Sequence, residues 1–536
     1  MQVPKIVGAD VELGNFLLGP TNIFTTGAIA SRLLLDEFDG VPDQRSMSGR
    51  ASEPVAYVGD WGNGSARSTW GGHVHSTRDW GRKYLPTTGG CAYIDSNHLE
   101  LALCECRDAW SHVASFHAML GLAQRAQRKA GAKLPEGVTL EVLANSSDGL
   151  GQSYGAHLDF LVSRQVFDDL LDRKSHYLGW LASFQVSAMV LSGQGKVGAE
   201  NGARSVGYQI SQRADFFDRV SSLDTMAQRG IVNRRREPLC GGHPGLGRLH
   251  VICFDNMLMD VARLVTVGAM QIALSMLEAG CLNPALILES PVDALHEWSA
   301  DPSLRTTARL VGGRQLTIVE LQRAYFEDAA RFVASGRCMD HVVRADDVLT
   351  QWGAVLDALE SGDVDGLATK LDWVAKYRLL QRVMSRHPHL TWEDAELKAL
   401  DHAYASLGDD GWLVGEQTAG RLARVVSASE ISRASFEPPD DTRAWARTQL
   451  LRRFGEQAVK VDWDSLEFEV GGRWSQRRFV VVLDDPAGFT RAQCGAEVEA
   501  ATDLEAAVRA VDAVREDTAH NKEDTWTRNA NIGRLS

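Results

Sequence analysis

Four segments of the sequence place acidic, imidazole, phenol or guanidinium side chains two residues apart in a strand-like pattern. The pairs are Asp10 with Glu12, Tyr93 with Asp95, His157 with Asp159, and Arg248 with His250, and Glu100 follows the second pair. Side chains at positions i and i+2 of a β-strand share one face of a sheet. Carboxylates and imidazoles on one face can bind Mg²⁺, and guanidinium groups suit phosphate. Any single pair is also typical of a solvated sheet face, and the spacing alone does not make the four segments neighbours.

Two short glycine motifs look like nucleotide or hydrolase signatures but lack the required continuation. Gly193–Gly198 matches G-x-G-x-x-G, yet a turn-like sequence follows where a dinucleotide-binding motif needs a helix. Gly151–Gly155 matches G-x-S-x-G, yet the next residues alternate like a strand instead of starting the helix of a nucleophile elbow. No P-loop motif occurs, so any ATP site must be built differently.

The composition is that of a folded chain with an acidic balance. It has 536 residues, 44% of them apolar and 24% charged, and a net charge of −14. The length suggests roughly two to four domains, and the acidic excess argues against nucleic acid as the main ligand. No apolar run predicts a membrane span, and the first residues do not form a secretory signal. Eight sparsely spaced cysteines predict reduced, mostly buried thiols in a cytoplasmic protein.

Hydrophobic periodicity predicts the elements that must position these residues. The first fourteen residues alternate as a strand, with the acidic pair on one face and apolar residues on the other. Further strands are predicted near 91–95, 139–145, 155–163 and 248–254, and helices near 261–277, 316–335, 346–360 and 367–385. Residues 36–90 lack periodicity, which predicts a lid or a disordered insertion. Two prolines at 438–439 precede a small α+β unit that extends to about 515.

Many stretches, in collinear order along most of the chain, resemble the family of the Pup ligase and the Pup deamidase/depupylase. These enzymes are carboxylate–amine ligase relatives of glutamine synthetase. The matching stretches are Val7–Gly14, Ala92–Asp95, His98–Glu100, Asn145–Asp148, Ser153–His157, Gln209–Asp215, Arg229–Asn233, Arg248–Ile252, Asp301–Arg305, Leu371–Trp373, Pro438–Ala444 and Val461–Trp463. So many matches in order make the resemblance specific.

The resemblance implies an α+β fold with a glutamine-synthetase-like sheet. The sheet is expected to be curved, mainly antiparallel and backed by helices, so that it cradles ATP. Residues 1–435 would form the catalytic domain, with 36–90 as a long insertion or lid loop. Residues 436–515 would form a small C-terminal α+β domain, and 516–536 a polar, disordered tail. The depupylase has a long loop where this chain has 36–90 and the ligase has a short connection, which favours the depupylase side.

The resemblance also implies roles for individual residues. Asp95 is expected to be catalytic. The expected magnesium ligands are Asp10, Tyr93, Glu100, His157 and His250. The expected ATP contacts are Gly8, Ala9, Asp10, Val11, Glu12, Ala102, Leu103, Asp159, Arg248 and Trp463. Arg213 and Arg235 are expected on the phosphate side, because a guanidinium group fits phosphate geometry.

Several positions depart from the family pattern and indicate a divergent paralogue. Asp10 stands where the family has a glutamate, and Leu239 stands where it has a histidine. Leu158 and Asp159 replace a glutamate and an asparagine, and His98-Leu99-Glu100-Leu101 stands for His-Pro-Glu-Tyr. An added carboxylate at Asp159 is unfavourable near ATP phosphates unless a metal ion or an arginine neutralises it.

The function implied by the resemblance is that of an ATP- and Mg²⁺-dependent amidohydrolase. Its substrate would be the side-chain amide or isopeptide bond at the C-terminal Gln or Glu of a Pup-like small protein. Its partners would be that protein or pupylated proteins in a proteasomal pathway, with no nucleic acid and no membrane. Two alternatives stay open: an ATP-dependent Pup-like ligase, and a degenerate paralogue that only binds a Pup-like tail.

Overall fold

The computed structural model describes residues 2–19, 26–43, 80–225, 227–338, 340–471 and 475–516. In chain order its strands are β1 (Val7–Leu18), β2 (Val41–Pro42), β3 (Trp80–Tyr84), β4 (Cys91–Asp95), β5 (His98–Cys106), β6 (Thr139–Leu143), β7 (Ala156–Ser163), β8 (Lys196–Val197), β9 (Tyr208–Gln209), β10 (Phe217–Ser222), β11 (Arg229–Asn233), β12 (Leu246–Val251), β13 (Thr307–Arg309), β14 (Gln315–Thr317), β15 (Ala458–Val461), β16 (Ser465–Val470) and β17 (Arg477–Val482). Its helices are α1 (Gly27–Asp36), α2 (Ala109–Gly131), α3 (Arg164–Asp168), α4 (Ser175–Ser192), α5 (Asp260–Glu278), α6 (Pro291–Ser299), α7 (Ile318–Ala334), α8 (Ala345–Ser361), α9 (Val364–Leu367), α10 (Asp372–Arg386), α11 (Ala395–Tyr404), α12 (Trp412–Thr418), α13 (Ala428–Ala434), α14 (Ala444–Phe454) and α15 (Arg491–Ala500). Residues 504–516 are also helical.

An eight-stranded antiparallel sheet forms the centre of the fold. Seven of its strands lie in the order β12, β7, β1, β5, β4, β3, β2, and β6 also pairs with β1. Strand β1 is long enough to pair with β7 along residues 7–11 and with β6 along residues 14–18. Helices cover one side of this sheet, so the α+β fold with a mainly antiparallel sheet, predicted from the sequence, is confirmed.

One face of the central sheet is apolar because hydrophobic residues alternate along its strands. Helices α2 and α5 pack against this face and share its core. The buried residues on this face include Val7, Ala9, Val11 and Leu13 of β1 and Leu99, Leu101 and Leu103 of β5. The opposite face is therefore left to the polar residues of the same strands.

Helix α5 is long and apolar enough to cross a membrane by length and composition alone. Its apolar window is completely buried inside the protein, which is typical of a core helix. Gly268 is needed for this packing, because a Cβ atom there would lie 2.6 Å from the side chain of Val348 on α8. The helix thus gives no support to a membrane-spanning segment.

The C-terminal residues form a second packed unit on the polar side of the central sheet. Strands β15, β16 and β17 form an antiparallel sheet, and α14 and α15 contribute to the same buried cluster. That cluster includes Tyr84, Cys91, Tyr93 and Ala102 from the central sheet. The unit thus rests on the strands that carry the candidate site. The domain division at 435/436 stays a prediction, and the predicted tail beyond Glu516 lies outside the described residues.

Several elements differ from the sequence prediction, which did not include helices α2 and α4. Strand β5 was not predicted, because the polar/apolar alternation of His98–Leu101 does not continue along it. The face that begins with His98 and Glu100 goes on with Ala102, Cys104 and Cys106, and eight of the nine residues are buried. The segment 36–90 contributes β2 and β3 to one edge of the central sheet, while residues 44–79 lie outside the described residues. The helix predicted for 367–385 begins at Asp372, after the separate short helix α9.

The two glycine motifs and the cysteines behave as the sequence predicted. After Gly193–Gly198 the chain forms a turn and no helix, and Gly151–Gly155 leads directly into strand β7. Neither a dinucleotide motif nor a nucleophile elbow is therefore present at these positions. All eight cysteines are free, and all but Cys281 are buried.

Candidate active site

The polar face of the central sheet carries the four pairs of side chains that stand two residues apart, on strands β12, β7, β1 and β4, with Glu100 on β5 between β1 and β4. The strand register places these residues opposite one another: Asp10 and His157, Glu12 and Glu100, Tyr93 and Glu100, and Asp159 and His250. Directly opposed residues of an antiparallel pair have Cβ atoms about 5 Å apart. The register therefore makes one site out of segments that are far apart in the sequence.

A cavity of about 1220 Å³ lies over this face. It is larger than the roughly 300–1,000 Å³ of a typical small-molecule site, so it has room for a nucleotide and part of a second substrate. Its acidic lining includes Asp10, Glu12, Asp95 and Glu100, and its basic lining includes Arg213, Arg229, Arg235 and Arg248. The cavity thus combines groups that bind cations with groups that bind anions.

Asp10, His157 and His250 form a first cluster that could hold a metal ion. One ligand atom of each lies within 4.8 Å of the other two, and the two imidazole rings are 4.8 Å apart. Burial, together with the nearby carboxylate of Asp159, raises the pKa of Asp10 to about 8. Burial lowers the pKa of both histidines. The histidines are therefore neutral at neutral pH, the form that binds metal ions.

Asp159 lies between Arg248 and His250. Arg248 Nη1 donates to Asp159 Oδ1 at 3.0 Å, and His250 Nδ1 lies 2.8 Å from the same oxygen. Burial alone would raise the pKa of Asp159, but these two neighbours outweigh it and hold the pKa well below its usual range. The negative charge of Asp159, which was expected to be unfavourable near ATP, is thus neutralised by Arg248.

Glu12, Asp95 and Glu100 form a second cluster, again with one ligand atom of each within 4.8 Å of the others. Burial raises the pKa of Glu12, and Asp95 adds to the effect. Burial and the surrounding carboxylates raise the pKa of Glu100 well above its usual range, although the Tyr93 side chain hydrogen-bonds to it. Three carboxylates so close together require protons or a cation between them.

Asp95 ends strand β4 at a two-residue hairpin turn. Ser96 and Asn97, the central residues of the turn, have φ angles of 49° and 83°, as in a type I′ turn. Ser96 Oγ donates to Asp95 Oδ1 at 2.8 Å. The turn therefore fixes a half-buried carboxylate at the end of the sheet, next to the second cluster.

The donor atoms of both clusters fit divalent cations. Carboxylate oxygens are the ligands that Mg²⁺ and Mn²⁺ prefer, and imidazole nitrogen extends the range to softer ions. His250 Nε2 is buried and has no hydrogen-bond partner among the described residues, which leaves it open to an ion. Of the ligands expected from the resemblance, Asp10, His157 and His250 form the first cluster. Glu100 lies in the second cluster, beside Glu12 and Asp95, and Tyr93 belongs to neither.

The C-terminal unit closes one end of the cavity, and there the Trp463 ring forms an aromatic wall. Its ring lies 5.5 Å from that of Tyr84 in an edge-on arrangement, and the guanidinium carbon of Arg447 lies 4.8 Å from its centroid. Arg447 Nη1 also donates to the Trp463 carbonyl at 3.0 Å. Such a flat, fixed ring is suited to packing against a nucleotide base.

The structure brings most of the predicted residues into this cavity, but not all of them. Asp10, Glu12, Tyr93, Asp95, Glu100, His157, Arg213, Arg235, Arg248 and Trp463 line it. The side chains of Ala9, Val11 and Leu103 point to the apolar face and lie in the core, so only their backbone atoms can face a nucleotide. Ala102 is buried beneath the C-terminal unit.

Sequence reasoning assigned no role to several residues that line the cavity, among them Arg82, His98, Tyr154 and Arg229. The guanidinium group of Arg82 lies over the Tyr93 ring at 4.2 Å, and His98 stacks on Tyr154 with ring centroids 4.5 Å apart. Three of the four stand in stretches that carry the family resemblance, which was the available signal, but no local spacing links them to the acidic pairs.

An acid-lined cavity on an antiparallel sheet, with arginines beside the acids, defines a site for cations and anionic substrates. Residues 45–467 match the family described as Pup-ligase protein. The chain is 36% identical over 387 residues to the Pup deamidase/depupylase of Mycolicibacterium smegmatis, covering 72% of this chain and 75% of that protein. It is 34% identical over 416 residues to the Pup–protein ligase of Acidimicrobium ferrooxidans, covering 76% and 88%. The chain belongs to the Pup-ligase family.

The comparison with solved structures agrees with this assignment. The structure of the Pup ligase PafA in complex with ADP superposes with a TM-score of 0.65 at 27% sequence identity, covering 76% of this chain and 87% of that chain. The fold predicted from the resemblance is thereby confirmed. Identities of 36% and 34% to a depupylase and a ligase do not separate the two activities.

Proposed function

We propose that the protein is an ATP- and Mg²⁺-dependent amidohydrolase of the deamidase/depupylase type. Its substrate is the side-chain amide or isopeptide bond at the C-terminal Gln or Glu of a Pup-like protein. The observation that carries the proposal is the position of Asp95 beside Glu12 and Glu100 in the cavity of a Pup-ligase family member. The long segment 36–90 supports the depupylase side, because the resemblance assigns a long loop there to the depupylase.

Asp95 is the reacting carboxylate in this proposal. It attacks the side-chain carbonyl carbon as nucleophile, or it acts as the base that activates water for the same attack. Negative charge then develops on the carbonyl oxygen, where the buried Arg213 guanidinium can stabilise it. If Asp95 is the nucleophile, the departing ammonia or lysine amine takes its proton from water, and the resulting hydroxide hydrolyses the mixed anhydride formed with Asp95. If Asp95 is the base, the proton that it takes from the attacking water passes to the departing amine as the C–N bond breaks. The carboxylates of Glu12 and Glu100 would hold Mg²⁺, which would offset their negative charge beside the reacting carbonyl group.

The nucleotide is assigned to the end of the cavity that carries Trp463 and Arg248. The PafA relative binds ADP, and the aromatic wall at Trp463 suits a base. Arg248 and Arg235 line the same cavity and offer cations for phosphate oxygens. In this role the partners are Pup-like tails and pupylated proteins in a cytoplasmic proteasomal pathway.

Ligation is the second candidate, because a relative with 34% identity is a Pup–protein ligase. The same cavity would then transfer the γ-phosphate of ATP to a side-chain carboxylate, and a lysine amine would displace the phosphate. Hydrolysis and ligation use the same groups but differ in their products and in the ATP they consume.

Product analysis separates the candidates. The protein is incubated with ATP, Mg²⁺ and either Pup ending in glutamine or an isopeptide-linked Pup conjugate, and the products are followed by intact-protein mass spectrometry. Hydrolysis predicts conversion of glutamine to glutamate and release of the conjugated protein, without stoichiometric loss of ATP. New conjugates with one ATP consumed per bond would establish ligation instead. Neither product, combined with no ATP binding by calorimetry, would indicate a degenerate paralogue.

A further inference from the structure

Two buried arginines lie side by side at the Glu12 end of the cavity. Arg213 is 2% exposed and Arg229 is 8% exposed, and both line the cavity. Both are anchored to Ser153: Arg213 Nε donates to its hydroxyl oxygen at 3.2 Å, and Arg229 Nη2 donates to its carbonyl oxygen at 2.8 Å. Hydrogen bonding to one residue thus holds two like charges close together.

Neither guanidinium group has an acidic partner among the described residues. No carboxylate there lies within the 4.0 Å of an ion pair with Arg213 or Arg229. Asp255 and Glu12 act on Arg213, and Glu12 and Asp224 act on Arg229, only from a greater distance. Burial lowers the pKa of Arg229 to about 10, so the group is still a cation at neutral pH. A buried cation without a partner is costly. The pair is therefore arranged for an anion that comes from outside the chain.

The Nη1 atom of Arg229 is an open donor of this pair. Arg229 Nε donates to the Thr225 carbonyl at 2.6 Å, and Nη2 is taken up by Ser153. Nη1 is buried and has no hydrogen-bond partner among the described residues. Because guanidinium donors form a planar fork that matches carboxylate and phosphate oxygens, an oxyanion is the ligand that fits.

The strand register places this arginine pair far from Arg248, the arginine at the other end of the cavity. Gly8 lies opposite Asp159, which holds Arg248, whereas the Glu12 N–H donates to the Gly155 carbonyl, two residues from Ser153. With a rise of about 3.3 Å per residue, Gly8 and Glu12 are about 13 Å apart along β1. The two ends are therefore far enough apart to bind two different anions, with the acidic clusters between them.

We propose that Arg229, supported by Arg213, binds the main-chain carboxylate of the substrate's C-terminal residue. The proposal rests on the proposed function, in which the side chain of that residue reacts at Asp95. In glutamine or glutamate only Cα, Cβ and Cγ separate the main-chain carboxylate from the side-chain carbonyl. Anchoring the carboxylate at Arg229 thus places the side chain beside Glu12 and Asp95, and it selects a chain terminus over an internal glutamine.

The test compares two forms of one ligand, a Pup-like peptide that ends in glutamine with either a free carboxylate or a carboxamide. Calorimetry is performed with Mg²⁺ and ATP in the Asp95→Asn background, which prevents conversion of the peptide. We expect the carboxamide to bind about tenfold or more weakly, because it loses the charge-assisted hydrogen bond between a carboxylate and a guanidinium group. The additional change Arg229→Gln should weaken binding of the carboxylate form and abolish the difference, with ATP affinity unchanged.

Arg219→Gln is the matched control, since Arg219 is an exposed arginine on the neighbouring strand β10; it should keep the preference for the carboxylate. Arg229→Lys retains the positive charge but lacks the planar guanidinium fork, and it should reduce the preference for the carboxylate peptide. This variant tests the subsite if Arg229→Gln does not fold.

Each contrary result has its own meaning. Equal affinity of the Asp95→Asn protein for the two peptides would overturn the carboxylate subsite and leave the proposed function standing. Weaker binding of ATP or inorganic phosphate in Arg229→Gln, with the peptide preference retained, would assign Arg229 to a phosphate and also overturn the subsite. Failure to bind either peptide, in a protein that still binds ATP, would overturn the proposed function and the subsite with it.

Discussion

His250 Nδ1 and Asp159 Oδ1 lie 2.8 Å apart, and this contact decides which nitrogen of His250 faces Asp10 and His157. A carboxylate that takes up one ring nitrogen fixes the orientation of the imidazole and leaves the other nitrogen for a metal ion. Arg248 neutralises the same carboxylate. Asp159 therefore acts on the first cluster as a positioning residue, although its place in the sequence suggested electrostatic conflict with ATP.

Removal of the Asp159 carboxylate should weaken cation binding. We expect Asp159→Ala to lower Mn²⁺ affinity about 10–100-fold, as found when such supporting carboxylates are lost. Asp159→Asn should lower it less, because its amide oxygen can still accept from Nδ1. Calorimetric titration with Mn²⁺, with and without ATP, measures both effects. Tighter ATP binding by Asp159→Asn with unchanged Mn²⁺ affinity would show simple repulsion of phosphate instead.

Gly155 has no side chain, and its absence leaves room for the side chains of His157 and Glu12 to approach each other. A Cβ atom at this position would lie 2.4 Å from His157 Nε2 and 2.9 Å from Glu12 Oε1. Gly155→Ala should therefore displace the imidazole and lower both Mn²⁺ affinity and turnover. Gly415→Ala is the control, because nothing lies within 4 Å of its added methyl group. Equal Mn²⁺ affinity of the two variants would contradict the close approach.

Arg447 should position Trp463 for the nucleotide. It holds the Trp463 carbonyl, lies beside the indole ring and donates to Glu105 Oε2 at 2.7 Å. We expect Arg447→Lys to weaken ATP binding several-fold, because the lysine lacks the planar fork that joins these contacts. Arg443→Lys is the matched control, since Arg443 also binds Glu105 without touching Trp463. If both variants lose stability and keep ATP affinity, Arg447 is purely structural.

The buried Glu105 should make stability depend on acid pH. Burial would raise its pKa, but Arg447 and Arg443 outweigh this effect and lower it from 4.5 to about 2. A carboxyl group whose pKa is lower in the folded state stabilises that state above the unfolded pKa and loses this contribution as the pH falls toward the folded value. Glu105→Gln should therefore be less stable by about 3 kcal/mol at pH 6, and the difference should shrink below about pH 4.5.

Urea unfolding of the parent and of Glu105→Gln from pH 6 to pH 3.5 measures this difference. A difference in unfolding free energy that stays constant across the range would show that the charge of Glu105 is not responsible.

The sequence predicted the strands of the site better than their arrangement. Alternation of polar and apolar residues is a local property, and it placed Asp10 and Glu12 on the face that the structure shows. Which strands are neighbours depends on tertiary contacts and register, so the meeting of Glu12 with Glu100 was not predictable from spacing. Strand β5 was not predicted because the alternation of its first four residues stops at Ala102, where the polar face of the strand becomes buried and apolar.

Arg229 shows a different limit of sequence reasoning. An arginine gives no local signal of its ligand, and its open Nη1 can be recognised only when the carbonyls of Thr225 and Ser153 are placed. The neutralisation of Asp159 by Arg248 could not be predicted from local sequence either, because the two residues are 89 positions apart. Both features depend on the positions of donors and acceptors in space, which residue types alone do not specify.

Replacement of Asp95 by asparagine tests the central claim most directly. The change keeps the shape and most hydrogen bonding but removes the nucleophile or base, so amide hydrolysis should fall at least about 10²-fold. Thermal stability and Mg·ATP affinity should change little, because Tyr93, Glu100, His157 and His250 remain. Asp148→Asn is the control: this carboxylate also lines the cavity but lies outside both clusters, and its replacement should leave the rate near that of the parent. An Asp95→Asn protein that retains its activity, or that unfolds, would contradict the account.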